Sequence, residues 1–407
     1  MFKQYRGLRR ELYVLFIGRV MTNFGGMIMP MLTLILSKKL GMNASNVADY
    51  LLVFSLLSIP ASLIAGKLAD KYNKRNIIIV CDLISVISYI YCGLSELTAS
   101  SIYILQIAAV FQTMERPAYD TLVADFTLPK DRERAYSLSY FGANLGLILS
   151  PTIGGFLFND YLWLAFIING VAILFSTVLI FFLIKDIHRE ESDEDINEYE
   201  VELDNSTNSL KYIFTNRVLS LFLFARVLSE AVYSEFNYLM PLDLSFQYSD
   251  AGSVIFGSLT SVNCITVVLF TTILTKYMSK VFETNKMMIG TGLTLLGLVI
   301  FRLLLTSIPS SYVAMFIFTL GEIISSIGLN PFITKRIPAN YRGRISSILN
   351  VCCDIFVALF NKLEGIIYDS AGSLNSWMLV YGIGIVSLVL FFTIIKADKK
   401  TYKGLYK

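Results

Sequence analysis

From residue 11 to residue 396 the chain is a succession of long apolar stretches separated by short charged turns. A helix needs about 20 mostly apolar residues to cross the hydrocarbon core of a bilayer. Lipid offers no partner for backbone polar groups, so a crossing segment has to satisfy them internally, as an α-helix does. The stretches predict twelve spans, near 11–37, 45–69, 76–96, 101–124, 134–158, 162–185, 217–243, 251–275, 286–306, 310–335, 341–368 and 375–396. The expected fold class is an all-α membrane protein embedded in a lipid bilayer. Composition agrees, since 55% hydrophobic residues, 16% charged residues and a mean hydropathy of +0.62 exclude an ordinary soluble chain of 407 residues.

Lys and Arg gather on alternate connections: the N-terminus with Lys3, Arg6, Arg9 and Arg10, then 67–75, 130–134, 276–286, 335–344 and the tail from Lys396. The positive-inside rule places these connections and both termini in the cytoplasm, in a multi-pass protein of the cell membrane. The apolar run after Glu11 continues past signal-peptide length into Pro30 and Leu36 without a clear cleavage site, so it is read as the first span. The net charge of +3 reflects this loop bias and gives no reason to expect nucleic acid as a partner.

The five cysteines, Cys81, Cys92, Cys264, Cys352 and Cys353, lie inside expected spans without a C-x-x-C pair, and the single histidine, His188, lies outside them. Neither a metal site nor a disulfide framework is expected. The chain has no G-x-x-x-x-G-K-[ST], HExxH or GxSxG sequence. ATP-driven transport by this chain alone and intramembrane catalysis are therefore unsupported, and no cofactor is expected.

Residues 186–216 interrupt the pattern with a stretch crowded by acidic residues from Glu190 to Asp204, read as a flexible cytoplasmic linker. It divides the chain into an N-terminal six-helix half, 1–185, and a C-terminal six-helix half with a cytoplasmic tail, 217–407. The halves resemble one another. Gly18-Arg19-Val20 before Pro30 is matched by Ala225-Arg226-Val227 before Pro241, with the arginines 207 apart (226 − 19) and the prolines 211 apart (241 − 30). Pro129-Lys130-Asp131-Arg132-Glu133-Arg134 is echoed by Pro338 to Arg344, the final arginines 210 apart (344 − 134). One near-constant offset argues for a parallel duplication.

Between the second and third spans stands Gly66-Lys67-Leu68-Ala69-Asp70-Lys71-Tyr72-Asn73-Lys74-Arg75. Its order resembles the G-x-L-a-D-r-x-g-r-[RK] signature of the major facilitator superfamily, with Asn73 in place of the second glycine. Ser150-Pro151-Thr152-Ile153-Gly154-Gly155, preceded by Gly142 and Gly146, resembles that family's G-P-x-x-G-G antiporter signature. Thr319-Leu320-Gly321-Glu322-Ile323 resembles a stretch of the tenth helix of bacterial proton-coupled multidrug exporters. Two departures stand out. The arginine usual about twelve residues before Pro117 is absent, its place falling on Leu105 or Gln106, and the second-half loop around Lys276 lacks the Gly and Asp.

The resemblance implies the twelve-helix, two-half major facilitator fold, with spans 1, 4, 7 and 10 lining a central cavity. It also implies a cytoplasmic gate. Asp70 would accept hydrogen bonds from the N-terminus of the eleventh helix, with Gly66, Lys71, Arg75, Asp125, Arg132 and Arg134 around it. For Gly142, Gly146, Gly154 and Gly155 the residue type predicts close helix approach, and Pro151 predicts a kink.

A charge near the bilayer centre costs roughly 2.5–3.5 kcal/mol on insertion scales, so each calls for a partner or a wet cavity. Arg19 and Asn23 in the first span, Glu115 and Arg116 in the fourth, Arg226, Glu230 and Glu235 in the seventh, Glu322 in the tenth and Asp354 in the eleventh are the candidates for substrate or proton coupling. Arg226 and Glu230 share a helix face, with Asn237 further along it. Such charges either line a pathway or lock helices together in pairs, and both roles stand open. Asp82 and Arg302, on peripheral spans, are expected to be structural, and Glu364 lies near an outer helix end.

The function expected from these features is proton-coupled export of an amphipathic or lipophilic small molecule by a monomeric secondary transporter that is not an enzyme. The alternative is an importer or a lipid or glycolipid translocase, because Arg19 and Arg226 together would suit an anionic head group.

Overall fold

The structure is a computed structural model that describes residues 7–127, 131–184, 209–337 and 339–406. The acidic run of the expected linker lies outside the described residues, as do Pro129 and Pro338. Among the described residues the chain is helical, without strands. The helices are α1 (Arg10–Gly25), α2 (Ala44–Lys71), α3 (Lys74–Leu94), α4 (Ala99–Asp125), α5 (Arg132–Leu147), α6 (Ser150–Leu157), α7 (Leu162–Leu183), α8 (Ser209–Thr215) and α9 (Arg217–Ser234). They continue with α10 (Leu239–Tyr248), α11 (Ala251–Tyr277), α12 (Glu283–Leu303), α13 (Ile308–Arg336), α14 (Ala339–Ala371) and α15 (Ser373–Thr401).

Nine helical stretches among the described residues are long and apolar enough to cross a membrane. The other three expected spans are helical with a distinguishing feature each. The first breaks after α1 and resumes only as a short turn at Leu32–Leu34 with a π turn over Ile35–Lys39. The fourth is the single helix α4, rich in charge around Glu115. The seventh is divided by turn residues 235–238 into α9 and α10.

Local chemistry sets several boundaries. The Asn73 side chain accepts the backbone N–H of Asn76 and caps α3, which gives this residue a use at the place where the family signature has glycine. Asn216 caps α9 in the same way through the amides of Val218 and Leu219. Pro151 stands in the first turn of α6, after the break at residues 148–149, so it opens a new helix where a kink was expected. The short helix α8 lies in the segment expected as linker. Its Ile213 is fully buried beside Val218 and Phe222, so the last linker residues belong to a core.

The chain folds as two compact units, one drawn from residues 1–42, 53–196 and 244–268, the other from 43–52, 197–243 and 269–407. In the first unit Leu12, Leu15, Ile78, Tyr119, Phe126 and Ile180 share one core. Small residues bring its helices together. A Cβ on Gly146 would stand 2.4 Å from the Val20 carbonyl of α1, one on Gly142 would stand 2.8 Å from the Phe16 ring, and one on Gly154 would meet the Met27 side chain at 2.8 Å. Gly155 packs against the Ser253 carbonyl of α11, and Thr152 shares a 2.7 Å hydrogen bond with Ser261.

In the second unit Phe222, Phe332, Leu349 and Phe391 form the core, with the Phe222 and Phe332 ring centroids 4.3 Å apart. Helices α12 and α13 approach through Gly290 and Gly321, where a Cβ on Gly321 would lie 2.5 Å from the Thr294 amide nitrogen and 2.6 Å from the Gly290 carbonyl. The start of α2 belongs to this unit too. Asp369, near the end of α14, accepts the backbone N–H groups of Ala44 and Ser45 at 3.1 and 2.8 Å, and Lys362 reaches Asp49 at 2.7 Å. This is a carboxylate on a helix N-terminus, at the end of α2 opposite the charged 66–75 turn.

The glycines make a testable contrast. Gly321→Ala forces a methyl group into backbone atoms and should destabilise the protein by about 1–3 kcal/mol, as overpacking does. A Cβ on Gly66 meets nothing within 4 Å, so Gly66→Ala should leave stability unchanged or slightly raised. Melting temperatures of the two purified variants in the same detergent check both outcomes.

Candidate functional site

In the first unit the charge cluster forms around Arg19. Its half-buried guanidinium stands 5.0 Å from the centre of the Tyr119 ring, and its Nε has no hydrogen-bond partner among the described residues. Tyr119 is fixed in turn by donating to the Leu15 carbonyl at 2.6 Å. Glu115, half-buried on α4, and Asp82 on α3 both lie within electrostatic reach of Arg19. Asn23 folds back on its own helix, its amide donating to the Arg19 carbonyl at 2.8 Å, and Arg116 is exposed.

Asp82 is more than the peripheral residue expected from its span number. It is buried, accepts a 2.8 Å hydrogen bond from Thr177 of α7 and feels Glu115 directly. Span number ranks a helix by its place in the bundle, whereas a side chain's place is set by the face it occupies. Gln106, at one of the two positions where the family carries arginine, is buried, and its amide nitrogen has no partner among the described residues.

In the second unit Arg226, Glu230 and Glu322 line one cavity of about 170 Å³ between α9, α12 and α13. Arg226 pairs with Glu230 at 2.9 Å one helical turn on. Tyr233 lines the same wall and stacks on Phe318 with centroids 5.4 Å apart. Opposite, Thr291 shares a 2.8 Å hydrogen bond with Ser229, holding α12 against α9. The close approach at Gly321 puts the next residue, Glu322, at the cavity wall. A cavity of this size is smaller than the roughly 300–1,000 Å³ of typical small-molecule sites, so it has room for the polar or charged end of a larger molecule and not for the whole of it.

Asp354 is exposed on α14, within electrostatic reach of Glu230. Asn237 falls in the turn between α9 and α10 and is exposed, so the helix-face argument that linked it to Arg226 and Glu230 does not apply. Arg302, expected to be structural, has an ion-pair partner. It pairs at 3.4 Å with buried Asp243, which also accepts from Trp377, Ser373 and Tyr368.

The two clusters repeat. Glu322 follows Glu115 by 207 residues (322 − 115), the offset that separates Arg226 from Arg19 (226 − 19). Each half therefore contributes an arginine from its first helix and a glutamate from its fourth.

Four residues of the expected gate, Asp125, Arg134, Lys71 and Arg75, have described partners. Lys74 binds Asp125 at 2.8 Å, Arg134 binds Asp131 at 2.7 Å, and Lys71 lies over the Tyr72 ring. Arg75 donates to the Phe181 carbonyl and covers the Phe181 ring. The side chains of Asp70 and Arg132 lie outside the described residues.

The profile of the Major Facilitator Superfamily matches residues 14–361. The chain belongs to this superfamily. As a member of the Major Facilitator Superfamily it is a multi-pass membrane transporter, and its fold is that of solved relatives. A POT family transporter in complex with 5-aminolevulinic acid superposes with a TM-score of 0.78 at 16% identity, over 97% of each chain. Among superfamily members of known name, the Na(+), Li(+), K(+)/H(+) antiporter of Planococcus maritimus is 23% identical over 82% of this chain and 84% of its own length. Multidrug resistance protein 1 of Bacillus subtilis is 22% identical over 89% of both chains.

Proposed function

We propose that this transporter exports an amphipathic or lipophilic small molecule across the cell membrane in exchange for protons entering the cytoplasm. In this reading it works as a monomer with both termini cytoplasmic and the proton gradient as its driving force. The observation that carries the reading is the cavity of the second unit, where one cation, Arg226, faces two carboxyl groups, Glu230 and Glu322. With both carboxyls ionised the cavity keeps one negative charge in excess, and a single proton cancels it. A cationic or neutral amphiphile and a proton then compete for the same carboxylate, and this competition is the linkage an exchanger requires. The antiporter and multidrug resistance names of the relatives favour the same direction.

A second reading, uptake or lipid translocation of an anionic molecule, is favoured by one feature. The Nε of Arg19 is buried without a partner among the described residues, and an unpaired donor of this kind attracts an anion.

Reconstituted protein in vesicles loaded with a pH-sensitive dye separates the two. Cationic and neutral amphiphiles added to the vesicles should move protons, and anionic ones should not. Proton movement driven only by anionic amphiphiles would favour the second reading, and no proton movement with any of them would reject proton-coupled export.

A further inference from the structure

The seventh span breaks at Glu235, and the break faces a second carboxyl group. Glu235 and Glu364, on α14, are both fully buried, 0% exposed, and their side chains meet at hydrogen-bonding range. Two ionised carboxylates have only acceptors to offer each other, so a hydrogen bond between them needs a proton on at least one. The surroundings supply only part of a substitute, a backbone N–H of Leu239 that donates to the Glu235 carboxyl. Both carboxylate oxygens of Glu364 and Oε2 of Glu235 lack any other partner among the described residues. The remaining oxygen of Glu235 accepts a long, 3.4 Å bond from Ser234.

The neighbouring charges are committed elsewhere. Lys362, two positions before Glu364, is held by Asp49 and Ser45 of α2. Arg302 of α12 is taken by Asp243, and Asp369 by the first amides of α2. The titratable groups facing the pair are Tyr238, which donates its hydroxyl to the Ala44 carbonyl, and beyond it Tyr368, which donates to Asp243. From α15, Ser376 donates to the backbone carbonyl of Glu364 and leaves its carboxyl untouched. No group of three or more His, Cys, Asp or Glu side chains suited to a metal ion occurs among the described residues.

We propose that Glu235 and Glu364 form a proton-binding site at the break between α9 and α10, distinct from the Arg226–Glu322 cavity. The ligand is a proton shared within the carboxyl pair. While it is bound, α14 stays packed on α9 and α10, with Asp369 and Lys362 holding the start of α2. Once it is lost, two like charges stand side by side away from water, an arrangement burial strongly opposes. The site stands on the pair's own geometry and does not depend on the role given to the cavity.

Infrared spectra of the purified protein in lipid nanodiscs test this. At neutral pH the wild type should show the C=O stretch of a protonated carboxylic acid that is missing from Glu235→Gln/Glu364→Gln, and sodium, lithium or potassium should leave it unchanged. An identical band in the double variant overturns the proposal. Loss of the wild-type band on adding one of the cations makes the pair a cation site and also overturns it.

The single variants Glu235→Gln and Glu364→Gln, whose amides can still bond the remaining carboxyl, give an independent measurement if the double variant does not fold. A proton held in the folded state and released on unfolding makes stability fall as pH rises. The wild-type melting temperature should therefore drop between neutral and alkaline pH, and both single variants should show a shallower drop. Equal slopes in all three proteins would overturn the proposal.

Discussion

Arg336→Met is expected to cost about 3–5 kcal/mol of stability, the penalty of leaving a buried charge without its partner. Arg336 ends α13 with its side chain fully buried, and it forms a two-pronged ion pair with Asp398 of α15, Nε to Oδ1 at 2.7 Å and Nη2 to Oδ2 at 2.6 Å. Its guanidinium also lies 4.3 Å from the centre of the Phe332 ring, and Glu283 of α12 stands 3.6 Å away. Removing the arginine takes its two-pronged ion-pair partner from Asp398, which is 0% exposed. The double change Arg336→Met/Asp398→Leu removes both charges and should recover most of the loss, because a buried ion pair and an apolar pair of similar volume are close in free energy. Lys335, half-exposed and 2.6 Å from Glu283, gives the control. Its loss should cost no more than about 1 kcal/mol, in line with solvent-screened pairs. Unfolding of the purified proteins in one detergent measures all three. A single-variant loss as small as that of the lysine would show that Asp398 finds another partner.

Glu322→Gln is expected to abolish accumulation of substrate against its gradient, by tenfold or more, while downhill exchange survives. The carboxyl lines the cavity beside the Arg226–Glu230 pair, and the amide keeps its size and hydrogen bonding but cannot exchange a proton. Arg226→Ala should act in the opposite sense on binding. It frees Glu230 from its 2.9 Å partner and leaves two carboxylates in the cavity, so cationic amphiphiles should bind about tenfold tighter, equivalent to about 1.4 kcal/mol. Uptake into inside-out vesicles with an imposed pH gradient, together with equilibrium binding of cationic and anionic amphiphiles, reads both effects. Unchanged accumulation by Glu322→Gln would move the coupling to Glu230 or Glu115. Unchanged binding in Arg226→Ala would remove the arginine from the site.

Most of the membrane architecture was legible in the sequence, because each spanning helix carries its own signal of length and apolar content. The first and seventh spans were the exceptions. Gly25-Gly26 with Pro30 in the first, and Asn237 with Pro241 in the seventh, are local breakers, but a bilayer span tolerates Gly and Pro, so hydropathy alone reads each as one span. Arg336 and Asp398 were hidden for a different reason. Both lie in basic runs that obey the topology rule, so they read as parts of solvated cytoplasmic ends, yet the fold buries both. Asp82 was discounted by the number of its span, and only the packing of α3 on α4 and α7 brings it within reach of Glu115 and Thr177. A contact between Asp70 and the eleventh helix was anticipated. At the opposite end of the same two helices, Asp369 was not seen as the residue that reaches the first amides of α2.

What the sequence by itself determined is local and additive: helical spans, basic loops, the family signature and the residues that carry charge into the membrane. Hydropathy and spacing act over one or two helical turns, so they survive without knowledge of neighbours. What only the tertiary structure decided is partnership. Arg336 meets Asp398 across 62 residues of chain and Glu235 meets Glu364 across 129 (364 − 235), and in each case the partner is set by which helix faces pack. Inside a membrane protein that choice has large consequences, because a charge that finds no water must find a partner or a proton.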